Sequence, residues 1–322
     1  MLESVKPNPS HEDRRDFLKT AAGAVLSSSL ALGRQQQPAT PMPPPKKARI
    51  TSSVMLWTLK GTFDEKLATA ADAGMQSVEL IDEYEGWSDA DAAKYKRIVT
   101  SYGMHMDTIL ASHNWVKRPV SLVNPAHREA FLADVRHAID WAKKLAVPQI
   151  ILMSGNVQPD MTHEAQYASL VESAKRATDL AEAAEVTLII ENLNSKVNHP
   201  GYFLTSAAEA LKAVKEVDHP RFRFLYDLYH EQVQNGDPLP ILKEAQPYVN
   251  VFHVADAPGR HDPGTGEMKW AELYTAIGRS PYAGYIALEY LPVPVDQAGS
   301  LIKAVTAMRS SLNAAALPEP RA

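Results

Sequence analysis

The sequence predicts an α/β protein built as a single (β/α)8, or TIM, barrel. Two observations carry this. Eight apolar or β-branched runs of strand length recur within a stretch of about 265 residues, and segments of helical period separate most of them. Such alternation implies parallel pairing through right-handed crossovers, and eight units over roughly 250 residues match a closed barrel. A doubly wound open sheet is the rival. No GxGxxG turn follows an early strand, which counts against it.

The strand runs fall at 50–57, 77–81, 104–111, 149–153, 186–191, 222–227, 249–254 and 285–290. Helical period is clearest at 64–73, 126–145, 164–184, 206–217 and 295–311. Gly74 stands where the first helix needs a C-terminal stop, directly before the second strand. Thr205 precedes SAAEALKAV and is the expected N-cap, with Glu209 in the first turn.

The barrel is expected to span residues 48–313. Residues 1–33 read as an export signal. Arg14 and Arg15, followed by Phe17-Leu18-Lys19, head a modestly apolar stretch at 20–32. That stretch is shorter than the roughly 20 apolar residues a bilayer span needs, but it fits the basic and apolar regions of a signal peptide. The arginine pair with Phe-Leu-Lys resembles a twin-arginine signal, which implies the twin-arginine export machinery as a partner and a periplasmic location. Residues 34–47, RQQQPATPMPPPKK, cannot bury apolar area and read as a linker. Residues 314–322 read as a C-terminal tail.

Composition narrows the function. The 322 residues are 45% hydrophobic and 22% charged, as in ordinary globular proteins. A net charge of −5 gives no electrostatic footprint for nucleic acid or for an anionic membrane. The absence of cysteine excludes disulfides, thiolate metal sites, cysteine nucleophiles and lipoprotein-type acylation, so no stable membrane anchor is expected. Any metal must be held by carboxylate and imidazole. No Ser-His-Asp arrangement or phosphate-binding loop is present. The oligomeric state stays open, a homo-oligomer included.

Polar residues close the last four strands. VTLII ends in Glu191-Asn192, FRFLY in Asp227, VNVF in His253 and YIAL in Glu289. The four lie 36, 26 and 36 residues apart, about one βα unit each, so they should share the C-terminal rim where barrel enzymes place their chemistry. A carboxylate or imidazole there is costly to bury unless paired or metal-bound. Three carboxylates and an imidazole suit a divalent cation such as Mn²⁺, Mg²⁺ or Co²⁺.

The motifs EN at 191–192, PGYFL at 200–204, DLYH at 227–230, HVADAPGRHDPGTGE at 253–267 and LEY at 288–290 resemble those of the hydroxypyruvate isomerases. More broadly they resemble the xylose isomerase-like TIM barrels, which include ketose 3-epimerases. The resemblance covers most of residues 50–312 and is most specific from Glu191 to Pro292. It implies Glu191, Asp227, His253 and Glu289 as metal ligands, Glu191 and Glu289 as the catalytic acid/base pair, and His230 and Arg260 as contacts to substrate oxygens. Family members acting on free ketoses carry a further acid shortly after the first Glu. Here LNSKVNHP follows, which counts against a ketose substrate.

Proton transfer between adjacent carbons of a hydroxy-carbonyl compound passes through an enediolate, which a metal, a base and an acid together make accessible. Arg260 could hold a substrate carboxylate bidentately, or pair with Asp256 or Asp262 in its own loop. Glu79, His113 and Asn156 follow earlier strands and are further candidates to line the pocket. Trp57 and Trp115 are candidates for an apolar wall. By the resemblance, the reaction is interconversion of hydroxypyruvate and tartronate semialdehyde. An exported sugar epimerase or 3-keto-sugar lyase on the same site is one alternative, and a non-catalytic sugar- or metal-binding barrel is another.

Overall fold

A computed structural model describes residues 48–111, 118, 120–293 and 295–316. The segments expected to be a signal and linker at 1–47, His113, Trp115 and the last six residues lie outside the described residues. Eight parallel strands close into one barrel in sequence order. They are β1 Thr51–Met55, β2 Ser77–Glu79, β3 His105–Leu110, β4 Gln149–Leu152, β5 Thr187–Glu191, β6 Phe222–Asp227, β7 Val249–Val254 and β8 Tyr285–Leu288. β8 pairs back onto β1, with Thr51 opposite Tyr285. No helix among the described residues is long and apolar enough to cross a membrane.

Nine α-helices among the described residues pack around the strands. They are α1 Phe63–Asp72, α2 Asp89–Ser101, α3 Arg128–Leu145, α4 His163–Ala184, α5 Ala207–Val217, α6 Leu228–Asn235, α7 Leu239–Ala245, α8 Trp270–Gly278 and α9 Gln297–Ala315. Because helices cover one strand face and the barrel interior the other, Leu188, Ile189 and Ile190 of β5 are all fully buried. That two-sided burial is why the strands read as continuous apolar runs.

Local chemistry sets the helix starts. Thr62 and Glu65 form a capping box on α1, and Ser88 and Asp91 form one on α2. α5 is capped by Ser206, not by Thr205: the Ser206 hydroxyl accepts from Glu209 N at 3.4 Å. A cap reaches the third helical residue, and Thr205 sits one position too early for that spacing. α9 continues to Ala315, beyond residue 313, because Ala314 and Ala315 are good helix formers.

The turn after β4 depends on one glycine. Gly155 has φ +81, and a Cβ there would lie 2.3 Å from the Ser121 Cβ. Gly155→Ala should therefore combine left-handed strain with overpacking and lower stability by about 3 kcal/mol. Denaturant unfolding checks this, and an unchanged midpoint would count against it.

Candidate active site

The register shows how the rim residues converge. Asp227 of β6 pairs directly with His253 of β7. Glu191 pairs with Leu225, two residues short of Asp227, and Glu289 lies two residues beyond Ala287, the partner of His253. Tilted barrel strands are staggered in this way, so residues out of register along the strands reach a common height on the axis. A register shift between Phe224 and Leu225 helps aim Asp227. Asp227 also caps α6: its Oδ1 accepts from His230 N at 2.6 Å, leaving Oδ2 to the cluster.

His253 is the hub. Its Nδ1 lies 2.9 Å from Glu289 Oε2, 3.1 Å from Glu191 Oε1 and 3.8 Å from Asp227 Oδ2. These are contact distances, yet Nδ1 and Glu289 Oε2 have no aligned hydrogen bond. One ring nitrogen can aim at only one oxygen, so the distances describe charge packed around a point rather than a hydrogen-bonded network. One ligand atom from each of the four buried residues lies within 4.8 Å of the other three. Three carboxylate oxygens and one imidazole nitrogen converging on an orphaned buried centre fit a divalent cation.

Electrostatics around the cluster are strongly perturbed. Burial alone would lower the pKa of His253, but the carboxylates of Glu79 and Glu289 hold it well above the usual imidazole value. Burial and the neighbouring Glu289 push Asp227 well up. Burial also raises Glu191, against the pull of His253. Glu289 goes the other way: Arg260 and then His253 overcome burial and hold it well below the carboxylate range. Arg260 Nη2 contacts Glu289 Oε2 at 2.7 Å, and Trp57 Nε1 donates to Glu289 Oε1 at 2.9 Å.

A cavity of about 220 Å³ opens onto the cluster. Its two halves differ in chemistry. The side built from β1–β4 and their loops presents Met55, Trp57, Ile81, Leu110, Ile151 and Met153. The side built from β5 onward presents Glu191, Leu193, His199, His230, Arg260 and Glu289. His230 is fully buried, and its Nδ1 accepts from Asn194 N at 3.1 Å. The ring proton then belongs on Nε2, which has no aligned partner among the described residues. Burial, then the Arg260 charge, hold this imidazole neutral by lowering its pKa well below the usual value. His230 is thus a neutral N–H donor at the cavity wall.

The structure brings together Glu191, Asp227, His253, Glu289, His230 and Arg260 of the residues singled out in the sequence. Arg260 pairs with Glu289, not with Asp256 or Asp262. Asp256 instead accepts from Gly264 N, Met268 N and Trp270 Nε1, which ties down the loop after β7. Asp262 accepts from Val293 N and from the Ser300 hydroxyl. Two residues expected to line the pocket lie elsewhere. Glu79 is fully buried against His253 and is not among the residues lining the cavity. Asn156 is not in the wall either; it bridges to Tyr202 in the loop beyond β4. Sequence reading passed over His199, whose ring stands 5.2 Å from that of His230. Burial and Arg260 lower His199 to about 4. Its position in the NHPGYFL stretch, within the resembling region, was the available signal.

Comparison with known proteins gives the family. Residues 67–311 match the family model of the xylose isomerase-like TIM barrel. The chain is 29% identical to hydroxypyruvate isomerase of Escherichia coli, over 77% of this chain and 95% of that protein. It is 26% identical to 2-oxo-tetronate isomerase of Pectobacterium atrosepticum, over 71% of this chain and 87% of that one. D-psicose 3-epimerase from Clostridium cellulolyticum H10, solved with D-tagatose, superposes with a TM-score of 0.66 at 20% identity, covering 83% of this chain and 96% of that one, and so shares the fold. With isomerases matching over nearly their whole length, the chain is an isomerase in class. The closed eight-stranded barrel and the family match over most of the chain place it in the xylose isomerase-like TIM barrel family.

Proposed function

We propose that this isomerase acts on a short 2-oxo or hydroxy acid, of the hydroxypyruvate or 2-oxo-tetronate kind, by proton transfer between Glu191 and Glu289 through an enediolate. The supporting observation is the pair of glutamates, from β5 and β8, that share one buried donor cluster and both face the cavity. Glu191, Asp227, His253 and Glu289 would hold the divalent cation, which when bound supplies Lewis acidity to the substrate carbonyl. One glutamate removes the α-proton and the other returns a proton to the adjacent carbon. Trp57 and Arg260 fix the orientation of the Glu289 carboxylate. His230 Nε2–H donates to a substrate oxygen, and Arg260 brings positive charge to the same wall for a substrate carboxylate.

Size supports a small substrate. A cavity of about 220 Å³ falls below the roughly 300–1,000 Å³ of pockets for drug-sized ligands. The experiment is proton NMR in deuterated water with Mn²⁺ and a panel of 2-oxo acids and ketoses. Deuterium should enter the short acids and not the ketoses; no exchange with any hydroxy-carbonyl compound would sink the reading. Arg260→Lys should raise KM for the acids about tenfold, since an ammonium cannot match the planar fork. We also propose export to the periplasm by the twin-arginine route, from Arg14 and Arg15. A reporter fused after residue 47 that stays in the cytoplasm would rule this out.

A further inference from the structure

We propose that Glu79 is a positioning residue for the metal centre: it anchors the far side of the His253 ring so that Nδ1 presents a lone pair to the cation. This rests on the metal-dependent reading above. Glu79 ends β2 and His253 sits on β7, so their contact crosses the barrel interior. Glu79 Oε2 lies 2.9 Å from His253 Nε2, with both side chains essentially without solvent exposure. Among the described residues, His253 is the one basic side chain within 4.0 Å of Glu79. The β2–β3 ladder shifts register between Val78 and Glu79, a local irregularity of the kind that re-aims a side chain.

The chemistry of imidazole gives this contact its consequence. A neutral imidazole carries one ring proton, and the nitrogen that binds a cation must be the other one. Three carboxylates crowd Nδ1, and with no acceptor opposite they would draw the proton to Nδ1 and close that nitrogen to metal. A carboxylate at Nε2 supplies the opposing pull. His253 Nε2 and Glu79 Oε2 are in contact at 2.9 Å without an aligned hydrogen bond. Asp107 of β3 stands behind Glu79 and accepts from the Ser53 hydroxyl at 2.7 Å. Burial and then Glu79 push Asp107 well above the usual carboxylate range. Glu79 lies outside the cavity wall, so substrate contact does not account for a fully buried acid here.

The test measures metal binding directly. Mn²⁺ titration followed by electron paramagnetic resonance should show Glu79→Ala binding about 10–100-fold more weakly than wild type, the usual cost of losing such a partner. In Co²⁺-loaded protein, the paramagnetically shifted Nε2–H resonance of His253 should be sharp in wild type and lost to solvent exchange in Glu79→Ala. Circular dichroism reports whether the variant folds. If it does not, the isosteric Glu79→Gln carries the test, with an expected loss of about tenfold. Wild-type Mn²⁺ affinity in the folded variant would overturn the inference and leave the functional reading intact. A wild-type protein that binds no divalent cation would overturn both.

Discussion

Glu289→Gln is expected to lower kcat by about 1,000-fold, in the middle of the range for a lost general acid or base. The substitution keeps the side-chain volume, and its amide oxygen can still accept from Trp57 Nε1. It removes the charge that faces both Arg260 and His253. Some stability is lost as well, because a buried guanidinium then keeps only the more distant charges of Asp227 and Glu191. Single-turnover NMR with a short 2-oxo acid gives the rate, and circular dichroism separates it from misfolding. A folded variant within tenfold of the wild-type rate would remove Glu289 from the chemistry.

Chelation should abolish proton exchange and leave a folded but less stable barrel. Three carboxylates and a histidine within 4.8 Å repel or compete for protons when no cation neutralises them. Restoring Mn²⁺ at about 100 times its Kd stabilises the native state by about 2.7 kcal/mol. For a domain of this size that corresponds to a rise in Tm of roughly 5 °C or more. Differential scanning calorimetry at several Mn²⁺ concentrations checks it, and a Tm that ignores the metal would leave the cluster without a cation role.

Much of this was legible in the sequence. β6 and β7 have the bounds their apolar runs suggest: every residue in them is buried except the half-buried Arg223 and Asn250 near their starts. The four residues of the cluster were readable because each closes an apolar run and the runs recur once per βα unit. Other elements were hidden for physical reasons. α2 buries only Ala92 and Val99, too little for an apolar stripe. α6 buries Leu228, Tyr229, His230 and Glu231 in succession, so polarity carries no helical period there. Glu79 read as a pocket residue because a strand end says nothing about which side chain lies across the barrel. Only closure brings it against His253. Trp57 looked like packing, yet its indole N–H orients a candidate catalytic carboxylate.

The two-faced cavity has a consequence for how such a protein changes over time. Among the described residues, every titratable wall residue comes from β5 onward, and the half before it contributes aliphatic and aromatic surface. The charged and proton-moving groups thereby sit on one stretch of chain and the apolar wall on the other, with Trp57 and Glu79 reaching across from the first half. Drift or deliberate redesign at Met55, Ile81, Leu110, Ile151 and Met153 can reshape which molecule is admitted while the proton-moving apparatus stays as it is. A gene of this kind can acquire a new diet through its first half alone.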